Sequence, residues 1–468
     1  MVYLFPDLNP HSIAFPRIVG ALIPVLAGGI VRDIFAGLIG FGTIGTGVVK
    51  LLRENEELIR KRLGARLVIK KIADVDIETP RQVPVEREKL TTDVNEILND
   101  PEISIIVELV GGYTHAKTFV LEAIRNGKHV VTANKALIAN YGNEIFSAAD
   151  DKKVNIGFEA SVGGTIPIIK TLKESLAGNN IESIFGIMNG TCNYILTRMT
   201  RDGKDFASAL KNAQDLGFAE ADPTYDIEAV DTAHKLAITL SLSYGKRVVL
   251  DDIYRKGISE VSQQDIEFAR ELGYTIKLLA IAIRRGDIIE ARIHPTMIPF
   301  DHILASVNGN FNAFHLIGDA SGSVFLYGQG AGMMPTASAV VGDMVDISRD
   351  IMAGIWRRVP LRSYKKDRIE DINLLGMDDV ETNYYFRFSA VDRPGVLSAI
   401  SGILGSHNIS ISSVIQKERK LDRDAVPVVV TTYKAREKDV QMALEEIDKL
   451  DVVFGKTTLI RIEDDELR

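Results

Sequence analysis

A glycine-rich segment near the start of the chain constrains the fold more than any other feature. Residues 34–39 form a short apolar run, Gly40, Gly42 and Gly45 follow in G-x-G-x-x-G spacing, and residues 46–63 have the periodicity of an amphipathic helix. These glycines permit a tight turn, close approach to a pyrophosphate, and close packing of the helix on the strand. The phosphates bind at the helix N-terminus, where free N–H groups favour anions. Unless the glycines form only an incidental turn, the segment predicts a dinucleotide site made of Gly40, Phe41, Gly42, Thr43, Ile44 and Gly45.

Strand and helix patterns alternate from this segment to about residue 159. Apolar runs at 67–73, 104–109, 129–132 and 154–158 predict further strands, and residues 116–126 predict one of the intervening helices. Strands that alternate with helices form doubly wound parallel sheets. We therefore expect an α/β dinucleotide-binding domain of the Rossmann type at 34–159, completed by a returning segment at about 330–357.

The rest of the chain predicts two further modules. Residues 160–329 mix helices with β-rich runs such as 183–188 and 288–297, which indicates a mixed α+β domain facing the first across a cleft. Residues 358–383 are rich in charge and poor in apolar periodicity, as a linker is. From 384 to 468 the pattern is β-α-β-β-α-β, with strands at 384–390, 409–416, 425–433 and 454–462, and it predicts a ferredoxin-like module.

Composition narrows the class of protein. A net charge of −8 argues against nucleic acid or an anionic membrane as the main partner. The single cysteine, Cys192, excludes an intrachain disulfide and favours a reducing, cytoplasmic location. Residues 1–33 form an N-terminal extension whose apolar stretch, 18–30, is well short of the ~20 residues that cross a membrane.

Acidic residues follow the second predicted strand. Asp74 and Asp76 lie where a carboxylate can bind the ribose hydroxyls of a dinucleotide and repel a 2′-phosphate, which favours NAD over NADP. Arg81 is near enough in sequence to bind a 2′-phosphate, so either cofactor stays open. A solvated turn is the alternative interpretation of the two acids.

Two lysines are candidates for catalysis. Lys135 follows the strand 129–132, at the sheet edge where such folds bind ligands, although a surface lysine is the alternative. Lys235 lies four residues after Asp231 on a predicted helix, so the two share one face, either as a surface ion pair or as a lysine held by a carboxylate that acts as a general acid. Upstream, the acid-bearing loop 217–223 contains Glu220 and can cap a small cationic substrate.

Two loops indicate bound ions or small molecules. Residues 159–166 combine the carboxylate of Glu159 with carbonyls in a glycine-rich turn, which suits a monovalent cation unless the segment is a plain loop. In the last module, Asp392 and Gly395 open a helix and Asn408 lies at its far end. A helix N-terminus of this kind can bind a small zwitterion, and a tight turn is the alternative.

With these residues placed, the chain resembles the monofunctional homoserine dehydrogenases over residues from about 34 to 468. The resemblance rests on the glycine loop, the segments Thr132-Ala133-Asn134-Lys135 and Asn189-Gly190-Thr191-Cys192-Asn193-Tyr194, the Glu220 loop and the Asp231/Lys235 pair. The last module resembles an ACT domain. The residues Thr114-His115 depart from the acid-proline pair of the family, and the extension 1–33 has no counterpart in it.

The resemblance implies a function and roles for residues. The family reduces L-aspartate 4-semialdehyde to L-homoserine with NAD or NADP, in the biosynthesis of threonine, methionine and isoleucine. By resemblance, Lys235 donates the proton, Glu220 and Asp231 bind the substrate, and Lys135, Gly217 and Gly332 contact the cofactor. A sodium ion is expected at Glu159, Val162, Gly164 and Ile166, and threonine is the expected inhibitor at Asp392, Gly395 and Asn408. Residues 160–329 would also carry the contacts of a homodimer or homotetramer.

Two other functions fit the same motifs. One is a dehydrogenase of another amino-acid semialdehyde or of aspartate itself, and the other is a non-catalytic sensor of NAD and amino acids.

Overall fold

The structure is a computed structural model that describes residues 32–416 and 425–464. The expected N-terminal extension, 1–33, therefore lies almost wholly outside the described residues. No helix in the described part of the chain is long and apolar enough to cross a membrane.

The first domain is a parallel sheet with helices on both faces. Its strands are Asp33–Ile39 (β1), Arg66–Ala73 (β2), Leu90–Thr91 (β3), Ile103–Glu108 (β4), His129–Thr132 (β5) and Ile156–Gly157 (β6). Its helices are Thr43–Glu54 (α1), Glu56–Leu63 (α2), Asn95–Leu98 (α3), Thr114–Arg125 (α4) and Lys135–Lys152 (α5). The strand order β3-β2-β1-β4-β5-β6, with every pair parallel, confirms the predicted Rossmann-type sheet. The helix expected at 46–63 is broken at Asn55, where φ is −111°.

The second domain is built on a mixed sheet. The strands of this domain are Ile181–Ile187 (β7), Lys246–Arg247 (β8), Tyr254–Arg255 (β9), Tyr274–Arg285 (β10), Ile288–Pro299 (β11), Phe311–Gly318 (β12) and Gly322–Gln329 (β13), and all but β8 belong to the mixed sheet. Its helices are Ile168–Lys170 (α6), Gly190–Asp202 (α7), Phe206–Asp215 (α8), Thr224–Ile227 (α9), Val230–Tyr244 (α10) and Gln263–Glu271 (α11). Helix α10 is buried along nearly its whole length, which makes it a core element rather than a surface helix.

The chain then returns to the first domain through Met333–Met352 (α12). This helix packs on α1, and Val340 and Met344 share a buried cluster with Val48 and Leu52. At Gly47 a Cβ would lie 2.9 Å from the carbonyl oxygen of Met333, so the two helices approach closely only because this residue is glycine.

The C-terminal module has the ferredoxin-like order that the sequence predicts. Its elements, with the short strand before them, are Glu370–Asp371 (β14), Glu381–Val391 (β15), Val396–Ser406 (α13), Ile411–Gln416 (β16), Ala425–Thr432 (β17), Ala435–Arg436 (β18), Glu437–Ile447 (α14) and Thr458–Ile462 (β19). The four main strands lie in the order β19-β15-β17-β16. Strand β19 also pairs in parallel with β11, so the module continues the mixed sheet of the second domain.

The segment 358–383 connects the modules, but it is packed rather than extended as a free linker. Strand β14 pairs with β8. Leu361 and Val380 are buried at 2% and 1% exposure, and the Tyr364 hydroxyl donates to the carbonyl oxygen of Ser243 at 3.0 Å. These contacts fix the connection on the second domain.

Candidate active site

The glycine loop lies at the carboxyl end of β1, as predicted. Gly40 has a φ of +99°, and a Cβ on it would lie 2.7 Å from the carbonyl oxygen of Leu109. A Cβ on Gly45 would lie 2.2 Å from the carbonyl oxygen of Gly40. No atom of the described residues lies within 4 Å of the Cβ position of Gly42, and α1 begins one residue later, so the first N–H groups of the helix are open to an anion.

Asp74, the residue after β2, holds this loop in place through hydrogen bonds. Its carboxylate accepts hydrogen bonds from the backbone N–H groups of Phe41 and Asp76. Arg81 lies beside it: its guanidinium is 6.0 Å from the centre of the Phe41 ring and donates to the carbonyl oxygen of Asp76 at 2.9 Å. The Nε of Arg81 is buried and has no hydrogen-bond partner within the described residues.

A buried carboxylate between two lysines forms the centre of the site. Lys235 Nζ donates to Asp231 Oδ2 at 2.7 Å and to the carbonyl oxygen of Met188 at 2.7 Å. Lys135 Nζ lies 3.1 Å from the other carboxylate oxygen, Asp231 Oδ1. The pair on α10 is therefore buried and ordered, which removes the surface-ion-pair alternative, and Lys135 joins it from the first residue of α5.

The charges of this centre shift one another's pKa. Burial works to raise the pKa of Asp231, but Lys235 and Lys135 outweigh it and hold that pKa well below its usual range. The charge of Asp231 in turn raises the pKa of Lys135 despite its burial. The site thus holds a fixed negative charge flanked by lysines at the cleft between the two domains.

Asn189 and Asp226 belong to the same centre, although no role for either was predicted from the sequence. Asn189 Nδ2 donates to Asp231 Oδ2 at 2.9 Å and to Asp226 Oδ1 at 2.7 Å, while its Oδ1 caps α7 by accepting from the N–H of Cys192 at 2.8 Å. Burial, followed by the charge of Asp231, raises the pKa of Asp226. Asn189 could have been noticed as an N-cap residue, whereas nothing local in the sequence marks Asp226.

The Glu220 loop lies beside this centre without joining its hydrogen bonds. The Glu220 side chain is exposed and forms no ion pair with the described residues. The loop is held by its backbone and by Phe218, whose carbonyl oxygen accepts from the Thr191 hydroxyl at 2.7 Å and whose ring lies 4.9 Å from that of Tyr194. Gly217 turns the chain into the loop with a φ of +74°.

The loop at residues 159–166 differs from expectation in how it uses its carboxylate. Both oxygens of Glu159 accept backbone N–H groups, from Ile169 at 2.8 Å and Lys170 at 2.9 Å, so the side chain caps the helix that follows. Burial and the charge of Asp343 raise the pKa of Glu159 to about 7. Val162 and Gly164 are buried residues whose carbonyl oxygens accept no hydrogen bond within the described part of the chain, while that of Ile166 accepts from the N–H of Ile168.

The other predicted residues occupy two further places. Gly332 precedes α12 with a φ of +124°, beside α1. In the last module, Asp392 and the N-capping Gly395 are exposed at the start of α13, and Asn408, with a φ of +59°, follows its end. The 11 residues of α13, followed by His407, separate Gly395 from Asn408, and the helix alone is about 16 Å long.

Comparison with known proteins gives one consistent match. Family models described as "Homoserine dehydrogenase, NAD binding domain", "Homoserine dehydrogenase" and "ACT domain" match residues 40–159, 167–345 and 384–452. A homoserine dehydrogenase of Neisseria gonorrhoeae is 44% identical over 92% of this chain and 99% of its own length.

Solved structures agree with these matches. The crystal structure of a homoserine dehydrogenase from Thiobacillus denitrificans is 45% identical, with a TM-score of 0.87 over 93% of this chain and 99% of that one. A hyperthermophilic archaeal homoserine dehydrogenase in complex with NADPH is 27% identical, with a TM-score of 0.57 over 67% of this chain and 97% of that one.

Proposed function

The chain belongs to the homoserine dehydrogenase family, and we propose that Lys235 is the proton donor in the reaction that this family catalyses. The reaction reduces the aldehyde of L-aspartate 4-semialdehyde to the primary alcohol of L-homoserine. A bound nicotinamide cofactor supplies a hydride to the aldehyde carbon, and the protein supplies a proton to the aldehyde oxygen.

The hydrogen bonds of Lys235 carry this proposal. An ammonium group has three N–H donors. Two of those on Lys235 are directed at Asp231 and Met188, so the third is left for a substrate oxygen in the cleft. A positioned proton donor of this kind contributes about 10²- to 10⁴-fold to a rate.

The acids around Lys235 suit the amino group of the substrate. Asp226 and Asp231 are held side by side by the amide of Asn189, and Glu220 lies in the exposed loop nearby. We assign Asp226 and Glu220 to binding of the substrate ammonium, and Asp231 to orienting both lysines. Lys135 belongs to the nicotinamide side, because it follows β5 at the carboxyl edge of the sheet.

Variants of the two lysines test this division. Lys235→Met removes the proton donor and should lower kcat by at least about 100-fold, while NADH still binds. Lys135→Met is the matched control, since it removes an equally long charged chain from the other side of Asp231. Stopped-flow oxidation of NADH measures the effect on the chemical step, and fluorescence titration of NADH measures the effect on cofactor binding. A Lys235→Met enzyme with near-normal kcat would contradict the assignment.

For the cofactor we propose that both NAD and NADP are used. The Asp74 carboxylate opposes a 2′-phosphate, but the Nε of Arg81, which has no hydrogen-bond partner among the described residues, favours one, and the two lie beside the same loop. Arg81→Leu should therefore lower kcat/KM for NADPH about tenfold more than kcat/KM for NADH. Asp74→Asn should have the opposite effect and raise kcat/KM for NADPH relative to kcat/KM for NADH. Equal effects of Arg81→Leu on both cofactors would contradict the proposal.

A sodium ion, or another monovalent cation, is proposed at residues 159–166. Its support is that the carbonyl oxygens of two buried residues, Val162 and Gly164, accept no hydrogen bond from the described residues, because buried carbonyls need a partner. The backbone carbonyls of Glu159 and Ile166 would complete the set, and the Glu159 carboxylate would act only by anchoring the loop. The thermal unfolding midpoint should be higher in sodium chloride than in choline chloride of equal concentration. Equal unfolding midpoints in the two salts would contradict the proposed cation site.

Feedback inhibition by threonine is proposed for the C-terminal module. One threonine cannot contact both ends of α13 in a single copy, since about 16 Å separate Gly395 from Asn408. A shared site therefore requires two copies, which fits the predicted homodimer or homotetramer. Asp392→Ala and Asn408→Ala should each weaken inhibition, and the exposed Glu445→Ala should not. Unchanged inhibition in both would place the effector elsewhere.

A cytoplasmic location stays a prediction from the sequence.

A further inference from the structure

Glu108 is a buried acid at the carboxyl end of β4 to which the reaction above gives no role. It is fully buried, at 0% exposure, and lies between Ile39 of β1 and Thr132 of β5 in the middle of the parallel sheet. No cationic side chain among the described residues forms an ion pair with it. Burying an unpaired carboxylate is costly, so a residue that served only to fill space here would be apolar.

The two oxygens of Glu108 join two loops at this edge of the sheet. Oε1 accepts from the N–H of Val110 at 2.7 Å, and Oε2 accepts from the Thr132 hydroxyl at 2.6 Å. The backbone after β4 is then tied to Asn134, whose Nδ2 donates to the carbonyl oxygen of Gly112 at 2.5 Å. The Asn134 N–H donates to the Thr132 oxygen at 2.9 Å, which closes the network.

Both loops border the predicted cofactor site and the catalytic centre. The backbone of Leu109 packs on the glycine loop, within 2.7 Å of the Cβ position of Gly40. Asn134 caps α5 by accepting from the N–H of Leu137 at 3.0 Å, and the first residue of that helix is Lys135. Strands β4 and β5 belong to the second mononucleotide half of the sheet, where the nicotinamide is expected to bind.

We propose that Glu108 is a positioning residue for the nicotinamide half of the site, which sets the loop 109–112 and, through Thr132 and Asn134, the start of α5 and Lys135. The proposal rests on the reaction assigned above. It does not require Glu108 to touch either substrate.

The charge of Glu108 is not what holds the network. Burial raises its pKa to about 7, although the bonds to Thr132 and Val110 act in the opposite direction. If Oε2 takes up a proton, it can donate to the Thr132 oxygen while Oε1 still accepts from Val110. Glutamine offers the same pair, a carbonyl oxygen for Val110 and an N–H for Thr132, and leucine offers neither.

Comparison of Glu108→Gln with Glu108→Leu tests the proposal. Glu108→Leu should lower kcat about 10- to 100-fold per folded molecule, as displacement of a catalytic group by ~1 Å does, and should weaken NADH binding measured by fluorescence. Glu108→Gln should keep both to within about threefold of the unmodified enzyme, a remaining loss of less than ~1 kcal/mol. Asp350→Asn changes another buried acid, which accepts from Asn155 at the amino end of the strands, and is the control that should change neither.

The readouts separate positioning from stability. Loss of stability alone would lower the amount of folded enzyme but leave the NADH affinity and kcat of the folded fraction unchanged, and that result for Glu108→Leu would overturn the proposal. Glu108→Gln as impaired as Glu108→Leu would also overturn it. Failure of the unmodified enzyme to reduce L-aspartate 4-semialdehyde would instead refute the proposed function, because NADH affinity is measured without turnover.

Discussion

Arg292 offers a direct test of how the C-terminal module is attached. This residue of β11 is 1% exposed, and its guanidinium donates to Glu290 Oε1 and to Glu463 Oε1, each at 2.8 Å. Glu463 follows β19 and also accepts from the Thr382 hydroxyl at 3.1 Å. One side chain therefore links the mixed sheet of the second domain to two strands of the module.

Substitution of Arg292 by methionine keeps the bulk of the side chain and removes its charge. Glu290 and Glu463, both 2% exposed, then remain buried without this cation, although Arg285 still lies 3.4 Å from Glu290. Removal of one partner from a buried ion pair costs about 3–5 kcal/mol. The exposed pair of Lys211 and Asp215 is the control, because Lys211→Met should cost at most about 1 kcal/mol.

Urea unfolding followed by circular dichroism measures these free energies. The double variant Arg292→Met/Glu463→Gln should recover about 1–3 kcal/mol of the loss, because the buried charge that Arg292 neutralised is then absent. An Arg292→Met protein within about 1 kcal/mol of the unmodified chain would refute the reasoning. A double variant less stable than the single one would refute it as well.

Three other changes test separate parts of the structure. Burial and the charge of Arg201 lower the pKa of Lys277 to about 7, so between pH 7 and 10.5 the unfolded chain binds more protons there than the folded one. This group should therefore raise the free energy of unfolding with rising pH, by at most about 1.4 kcal/mol per pH unit. Urea unfolding at pH 7 and pH 9 should show a smaller rise in Lys277→Met than in the unmodified chain, and an equal rise in both would contradict this. Asn189→Ala removes the cap of α7 and should lower the free energy of unfolding, followed by thermal unfolding, by about 1 kcal/mol. It should also raise KM for the semialdehyde, and an unchanged KM would show that Asn189 has no role in substrate binding. Gly45→Ala should weaken NADH binding by at least about tenfold. Gly178→Ala is the control and should leave it unchanged, because no described atom lies within 4 Å of the new Cβ. Equal affinities of the two variants would contradict the loop geometry.

Local patterns predicted the elements whose signals are local. Strands β1, β2, β4 and β5 are short apolar runs bounded by turns, as strands buried on both faces are, and each lies within a residue or so of its predicted range. The pairing of β19 with β11 could not be predicted, because the two strands are far apart in sequence and nothing in either specifies its partner. The last strand begins at Thr458 rather than at 454, where Phe454 is exposed.

The same limit applies to the site. The i, i+4 spacing of Asp231 and Lys235 is visible in the sequence, and the structure shows it at 2.7 Å. That Lys135 reaches the same carboxylate from another domain depends on how α5 packs against α10. The sequence predicts that the Glu159 carboxylate faces a cation, but the N–H groups of Ile169 and Lys170 donate hydrogen bonds to both of its oxygens.

The central claim is that Lys235 delivers the proton at a site that binds NAD(P)H independently of it. Single-turnover oxidation of bound NADH by L-aspartate 4-semialdehyde, followed by stopped flow in the unmodified and Lys235→Met proteins, tests this claim most directly. The account predicts a rate at least about 100-fold lower in the variant, with NADH affinity unchanged. A single-turnover rate within about threefold of the unmodified protein, less than ~1 kcal/mol, would contradict it.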